Sequence, residues 1–251
     1  MGKSLEWIKS QIDSISYDEN MFRIYIDKDK YIFGAIPGKN VNTNKVDYFA
    51  ISSVYDTIID LNNKIKYSFY MAAECKPSES LKNHRWFGEL QTNESLAIYY
   101  IENMVYRTAV LWDMLAQLCN LFWQLNKPIN KIYAAQFFND LSQGKKAMPL
   151  AITIHKYFIQ EEKIGNDTEP WEGNHKYIKD YRDKMMHRNS PNISTLSSFD
   201  MELRPPAIFV LKRVTEDFLK ATEFINAVLS EIQKEYSNLK LFPNTKEDNN
   251  V

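Results

Sequence analysis

Apolar residues recur at intervals of three and four over two long stretches of the chain. The first stretch begins at Thr92 and ends near residue 126, before Pro128. Its apolar face consists of Leu96, Tyr100, Met104, Leu111, Leu115, Leu118 and Phe122. The second stretch begins after Pro205 and Pro206. Its apolar face consists of Ile208, Leu211, Val214, Phe218, Ile225, Val228 and Ile232.

This spacing places side chains on one side of an α-helix, so each stretch predicts a helix of about 32 residues and about 48 Å. Their matched length predicts an antiparallel pair at the centre of a helical bundle. Shorter periodic segments predict further helices over 130–142, 149–163 and 174–188, with a loop from Gly165 to Gly173. Residues 92–237 are therefore predicted to form an all-α bundle of about five helices.

The segment before the bundle, residues 1–91, has a mixed pattern. Residues 4–15 predict a short amphipathic helix, and 46–73 predict a longer one. Between them, 22–26 and 31–33 alternate in polarity around a charged turn, which predicts a β-hairpin. We therefore expect a small N-terminal extension that contains a hairpin and packs on the bundle.

The composition is that of a globular protein with almost no net charge. Of the 251 residues 44% are hydrophobic, enough for a large core, and the net charge of -1 means that nucleic-acid binding would need a local patch. Cys75 and Cys119 are far apart, which favours a reducing compartment. We see neither a signal-peptide core nor 18 uninterrupted apolar residues, so we expect a cytoplasmic chain with no membrane partner. The polar tail 238–251 is predicted to be disordered.

Side chains suited to catalysis are grouped at the end of the 174–188 segment, where Arg182, Asp183 and His187 fall within six residues. A guanidinium can bind a phosphate and an imidazole can transfer a proton without any metal. Five residues correspond to about 140° of a continuous helix, which would keep Arg182 and His187 apart. Because Pro191 ends helical geometry, we expect His187 to lie near the helix C-terminus and to fold back toward Arg182. The alternative is a helix-end histidine and an arginine paired with a neighbouring carboxylate.

Arg182-x4-His187, with the polar Asp183 directly after the arginine, resembles the R-x4-6-H signature of the HEPN superfamily. That family consists of all-helical domains, many of them metal-independent endoribonucleases associated with toxins, abortive infection and CRISPR-linked defence. The resemblance covers about residues 92–237. It implies that His187 acts as a general base or acid, that Arg182 stabilises phosphoryl charge, and that Asp183 orients one of them. The alternative for Asp183 is an exposed carboxylate on the helix surface. A toxin subgroup carries a modified Tyr two residues after the histidine; Asn189 stands there, so that regulation is not implied.

The resemblance also bears on partners. It implies RNA or a nucleotide as ligand and a cognate antitoxin as a candidate partner. One chain holds a single Arg182/His187 pair, whereas acid–base cleavage usually needs two proton-transfer groups. A two-fold homodimer would join two motif helices in one composite cleft, with Met185 or Met186 packing across it. The alternative is a monomer in which both methionines complete the core.

Further residues surround the motif. The basic side chains that would follow an RNA backbone are Lys176, Lys179, Lys184 and Arg188. A solvated helix face is the alternative. Arg107 lies on the apolar face of the first long helix, one turn after Asn103. We expect this pair to support the motif helix or enter the site, or Arg107 to form a structural ion pair.

No motif in the sequence indicates a metalloenzyme or an enzyme that binds a nucleotide cofactor. His84, His155 and His175 are isolated in sequence, and no H-E-x-x-H motif or Cys/His cluster is present, so no metal is expected. His175, twelve residues before His187, could line a cleft, but a position at the surface is favoured. Without a P-loop or a dinucleotide-binding motif, no cofactor is expected. A second function remains open: a non-catalytic helical module that binds a nucleotide, RNA or a protein partner.

Overall fold

The computed structural model describes residues 5–19, 21–22, 25–27, 30–31, 46–78, 84–144, 147–163, 170–188, 190–196 and 201–237. Within them the chain is predominantly helical, which confirms the all-α prediction. The helices are α1 (Leu5–Ser14), α2 (Tyr48–Glu74), α3 (Thr92–Phe122), α4 (Ala134–Ser142), α5 (Pro149–Phe158), α6 (Asn174–His187) and α7 (Ala207–Ser237). The strands are β1 (Tyr25–Asp27), β2 (Lys30–Tyr31), β3 (Glu161–Lys163), β4 (Pro170–Glu172), β5 (Thr195–Leu196) and β6 (Met201–Glu202).

The two long helices predicted from periodicity are α3 and α7, of 31 residues each, and they pack together at the centre. Their predicted antiparallel arrangement is wrong. His84 lies 3.5 Å from the Glu94 carboxylate at the start of α3 and contacts the carbonyl of Arg204, just before α7. Further along, Trp112 contacts Asp217. The two helices therefore run parallel.

The cause of the parallel arrangement lies in the intervening chain. Matched helices pair antiparallel when a short loop joins them. Here α4, α5 and α6 separate α3 from α7. α6 runs back along α3, because His175 near its start contacts Trp112 while Tyr181 lies toward Glu102. The chain thus returns to the end of the bundle from which α3 began.

Helices α1 and α2 share the hydrophobic core of the bundle. α2 makes extensive contact with α3, and α1 packs on α7. Ile8 and Ile12 of α1 are fully buried, as are Ile58 and Ile65 of α2. Segment 1–91 therefore contributes side chains to the same core as the five helices of 92–237.

The helix predicted over 149–163 ends at Phe158, and 161–163 pairs antiparallel with 170–172. Helix was therefore the wrong prediction at 161–163. The Gln160 carbonyl accepts the Gly173 N–H at 2.8 Å, and a Cβ on Gly173 would lie 2.1 Å from that oxygen. Only glycine permits this approach, which closes β3–β4 and starts α6.

The hairpin predicted in the extension is present, since β1 and β2 pair antiparallel. The β5–β6 hairpin, which follows α6, was not predicted. The tail 238–251 lies outside the described residues. Among the helices of the described ranges, none combines the length and apolarity needed to cross a bilayer.

Candidate functional site

Helix α6 carries the motif and is held against α3 at its C-terminal end. Its buried face presents Ile178 and Tyr181 to the core. The Tyr181 hydroxyl donates to Asn192 Oδ1 at 2.6 Å, and Asn192 Nδ2 donates to Glu102 Oε1 at 2.7 Å. Burial raises the pKa of Glu102, and the Asn192 hydrogen bond offsets part of that effect. The loop after α6 is thereby fixed to α3.

Arg182 lies half-buried beside the bundle and is bound by its neighbour. Its Nε and Nη2 donate to Asp183 Oδ1 at 3.1 and 2.8 Å, while Lys179 Nζ donates to Asp183 Oδ2 at 3.0 Å. Burial acts to raise the pKa of Asp183, but the hydrogen bonds from Arg182 and Lys179 outweigh it and lower the pKa. Asp183 therefore binds both Arg182 and Lys179.

A small cavity of about 100 Å³ opens beside Arg182, between α3, α6, α7 and the start of α4. Trp112, Asp113, His175 and Asp217 are among the residues that line it with Arg182. Asp113 Oδ1 accepts the Ala134 N–H at 2.8 Å. Burial raises the pKa of Asp113, partly offset by that hydrogen bond and by the charges of Arg182 and His175.

The cavity floor is a hydrogen-bond network centred on Asp217. Asp217 Oδ2 accepts from Trp112 Nε1 at 3.1 Å. Its Oδ1 accepts from the Tyr157 hydroxyl at 2.9 Å and lies 3.3 Å from His175 Nδ1. The His175 ring stacks on Phe158 with centroids 3.8 Å apart. Burial of Tyr157, together with the Asp217 carboxylate, raises the pKa of that phenol.

Sequence reasoning missed this network. His175 was expected at the surface, and that prediction is wrong, since its side chain is only 12% exposed. A signal was present in the sequence, because Asp217 falls between Val214 and Phe218 on the apolar face of α7. A carboxylate in that position needs buried donors.

His187 lies at the exposed end of α6 and does not approach Arg182 in the expected way. α6 stays helical through His187, so the predicted fold-back does not occur and the two side chains leave the helix about 140° apart. Within the described residues the His187 side chain has no hydrogen bond, ion pair or ring contact. Met185 packs at the edge of the core, whereas Met186 is 56% exposed.

The predicted basic surface is largely paired with carboxylates. Lys176 lies 2.9 Å from Glu161, and Lys184 lies 3.1 Å from Glu202. Lys179 binds Asp183 as described above. Arg188 is exposed, and its side chain has no polar partner within the described part of the chain. Within the described residues, Arg188 is therefore the only member of this set that can contact a phosphate without breaking an ion pair.

Arg107 and Asn103 form a local pair on α3. Arg107 Nη1 donates to the Asn103 carbonyl at 3.0 Å and to its Oδ1 at 2.8 Å. Asn103 Nδ2 donates to the Tyr99 carbonyl at 2.9 Å. Neither residue lines the cavity, and Arg107 has no ion pair within the described ranges.

No family model, curated protein or solved structure matches the chain. Within the described residues, no three His, Cys, Asp or Glu side chains are grouped to bind a metal ion. Any functional assignment therefore depends on the motif, the helical architecture and the geometry of α6.

Proposed function

We propose that the chain is a metal-independent endoribonuclease of HEPN type, related to toxin or phage-defence systems, that acts as a homodimer. One observation carries the proposal: His187 is exposed and unpartnered in the described residues, on the same helix as Arg182 but on a different side of it. Neither side chain is locked in a buried ion pair, since the partner of Arg182 is the half-exposed Asp183. A second copy of α6 would complete the site.

The proposed chemistry is transesterification within the RNA. The ribose 2′-oxygen attacks the adjacent phosphorus while the bond from phosphorus to the 5′-oxygen breaks. One His187 takes the 2′-hydroxyl proton, and the His187 of the partner subunit protonates the departing 5′-oxygen. Arg182 stabilises charge on the phosphoryl oxygens, and Asp183 orients Arg182. The products carry a 2′,3′-cyclic phosphate and a 5′-hydroxyl.

The test is cleavage of a labelled RNA by the purified protein in EDTA. His187→Ala and Arg182→Ala are each expected to reduce the rate by at least about 100-fold with an unchanged circular dichroism melt. His155→Ala, which changes a histidine of α5 outside the cavity, is the matched control and retains activity. Strict dependence on added metal, or full activity in His187→Ala, would refute the proposal.

The second candidate is a non-catalytic module that binds RNA or a protein partner. The pairing of Lys176, Lys179 and Lys184 with carboxylates favours the protein partner, because these lysines would have to break ion pairs to contact phosphates. The cavity beside Arg182 measures about 100 Å³, less than the several hundred Å³ usual for pockets that hold small-molecule ligands, so a nucleotide would need a different pocket. RNA binding without cleavage in the same assay would favour this candidate.

A further inference from the structure

The outward side of α3 carries a second apolar face. Leu96, Tyr99, Tyr106 and Val110 are 46, 58, 37 and 43% exposed, and the half-buried Asn103 lies in their middle. We call these five residues the outer stripe. Their spacing of three, four, three and four residues is that of a coiled-coil seam.

The outer stripe lies opposite the face that α3 buries in the bundle. Ile101, Met104, Val105 and Leu111 point into the core and are fully buried. A helix at the surface of a globular domain normally has one apolar face and one polar face. Four large side chains aligned on the solvent side therefore indicate an interaction surface rather than scattered exposure.

The outer stripe has the same order of residue types in both directions along the helix: aliphatic, tyrosine, asparagine, tyrosine, aliphatic. In an antiparallel pair centred near Asn103, Leu96 faces Val110 of the partner subunit and Tyr99 faces Tyr106 of the partner subunit. Each of these two contacts then joins side chains of the same kind, aliphatic with aliphatic and aromatic with aromatic. A two-fold contact needs a surface that complements itself, which this order provides.

Asn103 suits the position on the axis. Its Nδ2 donates one hydrogen to the Tyr99 carbonyl, and its Oδ1 accepts from Arg107. A carboxamide has two N–H donors and two acceptor lone pairs, so one of each remains. Two such side chains can donate to each other across a two-fold axis, and a single Asn in an apolar seam fixes its register.

The motif helix α6 packs on the same helix that carries the outer stripe. α6 runs back along α3, and Asn192, in the loop just beyond His187, is hydrogen-bonded to Glu102, the residue before Asn103. The loop after α6 is thus held to α3 at the level of the middle of the outer stripe. We propose that the outer stripe of α3 pairs antiparallel with that of a second copy, about a two-fold axis at Asn103. The consequence that both His187 side chains gather near that axis rests on the proposed function.

Disulfide trapping tests the geometry. In a Cys75→Ser background, with Cys119 fully buried, Asn103→Cys is expected to cross-link to itself under mild oxidation. Tyr99→Cys and Tyr106→Cys are each expected to stay uncross-linked alone and to form a mixed dimer when combined, because Cα atoms must approach within about 7 Å. Self-cross-linking of Tyr99→Cys, or failure of both expected disulfides, would overturn the antiparallel pairing.

Light scattering tests the surface itself. The wild type is expected to be a dimer at micromolar concentration, and Tyr99→Glu is expected to weaken dimerisation by at least about 100-fold by placing two charges in the seam. Ile129→Glu, at an exposed apolar position outside the stripe, is the control and stays dimeric. A monomeric wild type, or a dimer insensitive to Tyr99→Glu, would refute the interface whatever the cleavage activity. A monomeric Tyr99→Glu that still cleaves RNA supports the interface and refutes the composite site.

Discussion

The indole Nε1 of Trp112 donates a hydrogen bond of 3.1 Å to Oδ2 of Asp217, and so joins the two long parallel helices near their middles. Asp217 is 1% exposed and also accepts the Tyr157 hydroxyl. Asp217→Ala is therefore expected to lower the free energy of unfolding by about 3 kcal/mol, because it leaves buried donors without an acceptor. Urea denaturation measures this. Asp60→Ala, which removes the exposed partner of Lys64, should cost less than about 0.5 kcal/mol, and equal losses would contradict the prediction.

Asp113→Asn should change the pH dependence of stability. Because burial raises the pKa of Asp113 in the folded state, the folded chain holds this proton over a range of pH in which the unfolded chain has released it. Wild-type stability therefore falls as the pH rises through the window from the ordinary value of 3.8 to the raised value. The carboxamide of the variant does not titrate and keeps an oxygen for the Ala134 N–H. The stability of the variant relative to wild type should thus increase as the pH rises from 3.8 through the raised value.

Asp183→Asn is the control, because its stability relative to wild type should change with pH in the opposite direction. The pKa of Asp183 is lowered, so its contribution to stability is present above the unfolded value of 3.8 and is lost as the pH falls through the lowered value. The variant should therefore lose stability relative to wild type as the pH rises through that window. Urea denaturation at several pH values measures both variants. If the stability of both variants relative to wild type changed with pH in the same direction, the opposite pKa shifts of Asp113 and Asp183 would be contradicted.

Asn192→Ala should loosen the end of α6. The change removes the acceptor of the buried Tyr181 hydroxyl and the donor to Glu102. It should therefore lower the free energy of unfolding by about 2 kcal/mol. Hydrogen exchange of the amides in 184–188 should accelerate more than exchange in the middle of α3. Asn226→Ala, an exposed position on α7, is the control. Unchanged exchange in 184–188 would show that Asn192 does not hold the helix end.

Arg188→Ala should weaken RNA binding more than Lys176→Ala does. Arg188 has no polar side-chain partner in the described residues, whereas Lys176 is paired with Glu161, so a phosphate contact by Lys176 would first have to break that pair. Binding is measured by fluorescence anisotropy at several salt concentrations in a His187→Ala background. Arg188→Ala should reduce the slope of log affinity against log salt by about 1. An equal effect of both variants would contradict this prediction.

The sequence by itself determined the helices of this protein. Their apolar faces recur every three to four residues, and the intervals that place Leu111 and Val214 on those faces depend only on local backbone geometry. The β1–β2 hairpin followed for the same reason, from alternation on both sides of a polar turn. The motif residues Arg182, Asp183 and His187 were also apparent from residue type and spacing alone.

Only the tertiary structure decided how these elements meet. The parallel course of α3 and α7 depends on three intervening helices, and the β3–β4 hairpin depends on the contact between Gln160 and Gly173. The Asp217 network joins α3, α5, α6 and α7, so no local pattern contains it. His187 stays apart from Arg182 because α6 remains helical to its last residue, and hydrogen bonds of Asn192 with Tyr181 and Glu102 hold the following loop. Local periodicity specifies which face of a helix is buried, whereas contacts between distant residues specify its partner and direction.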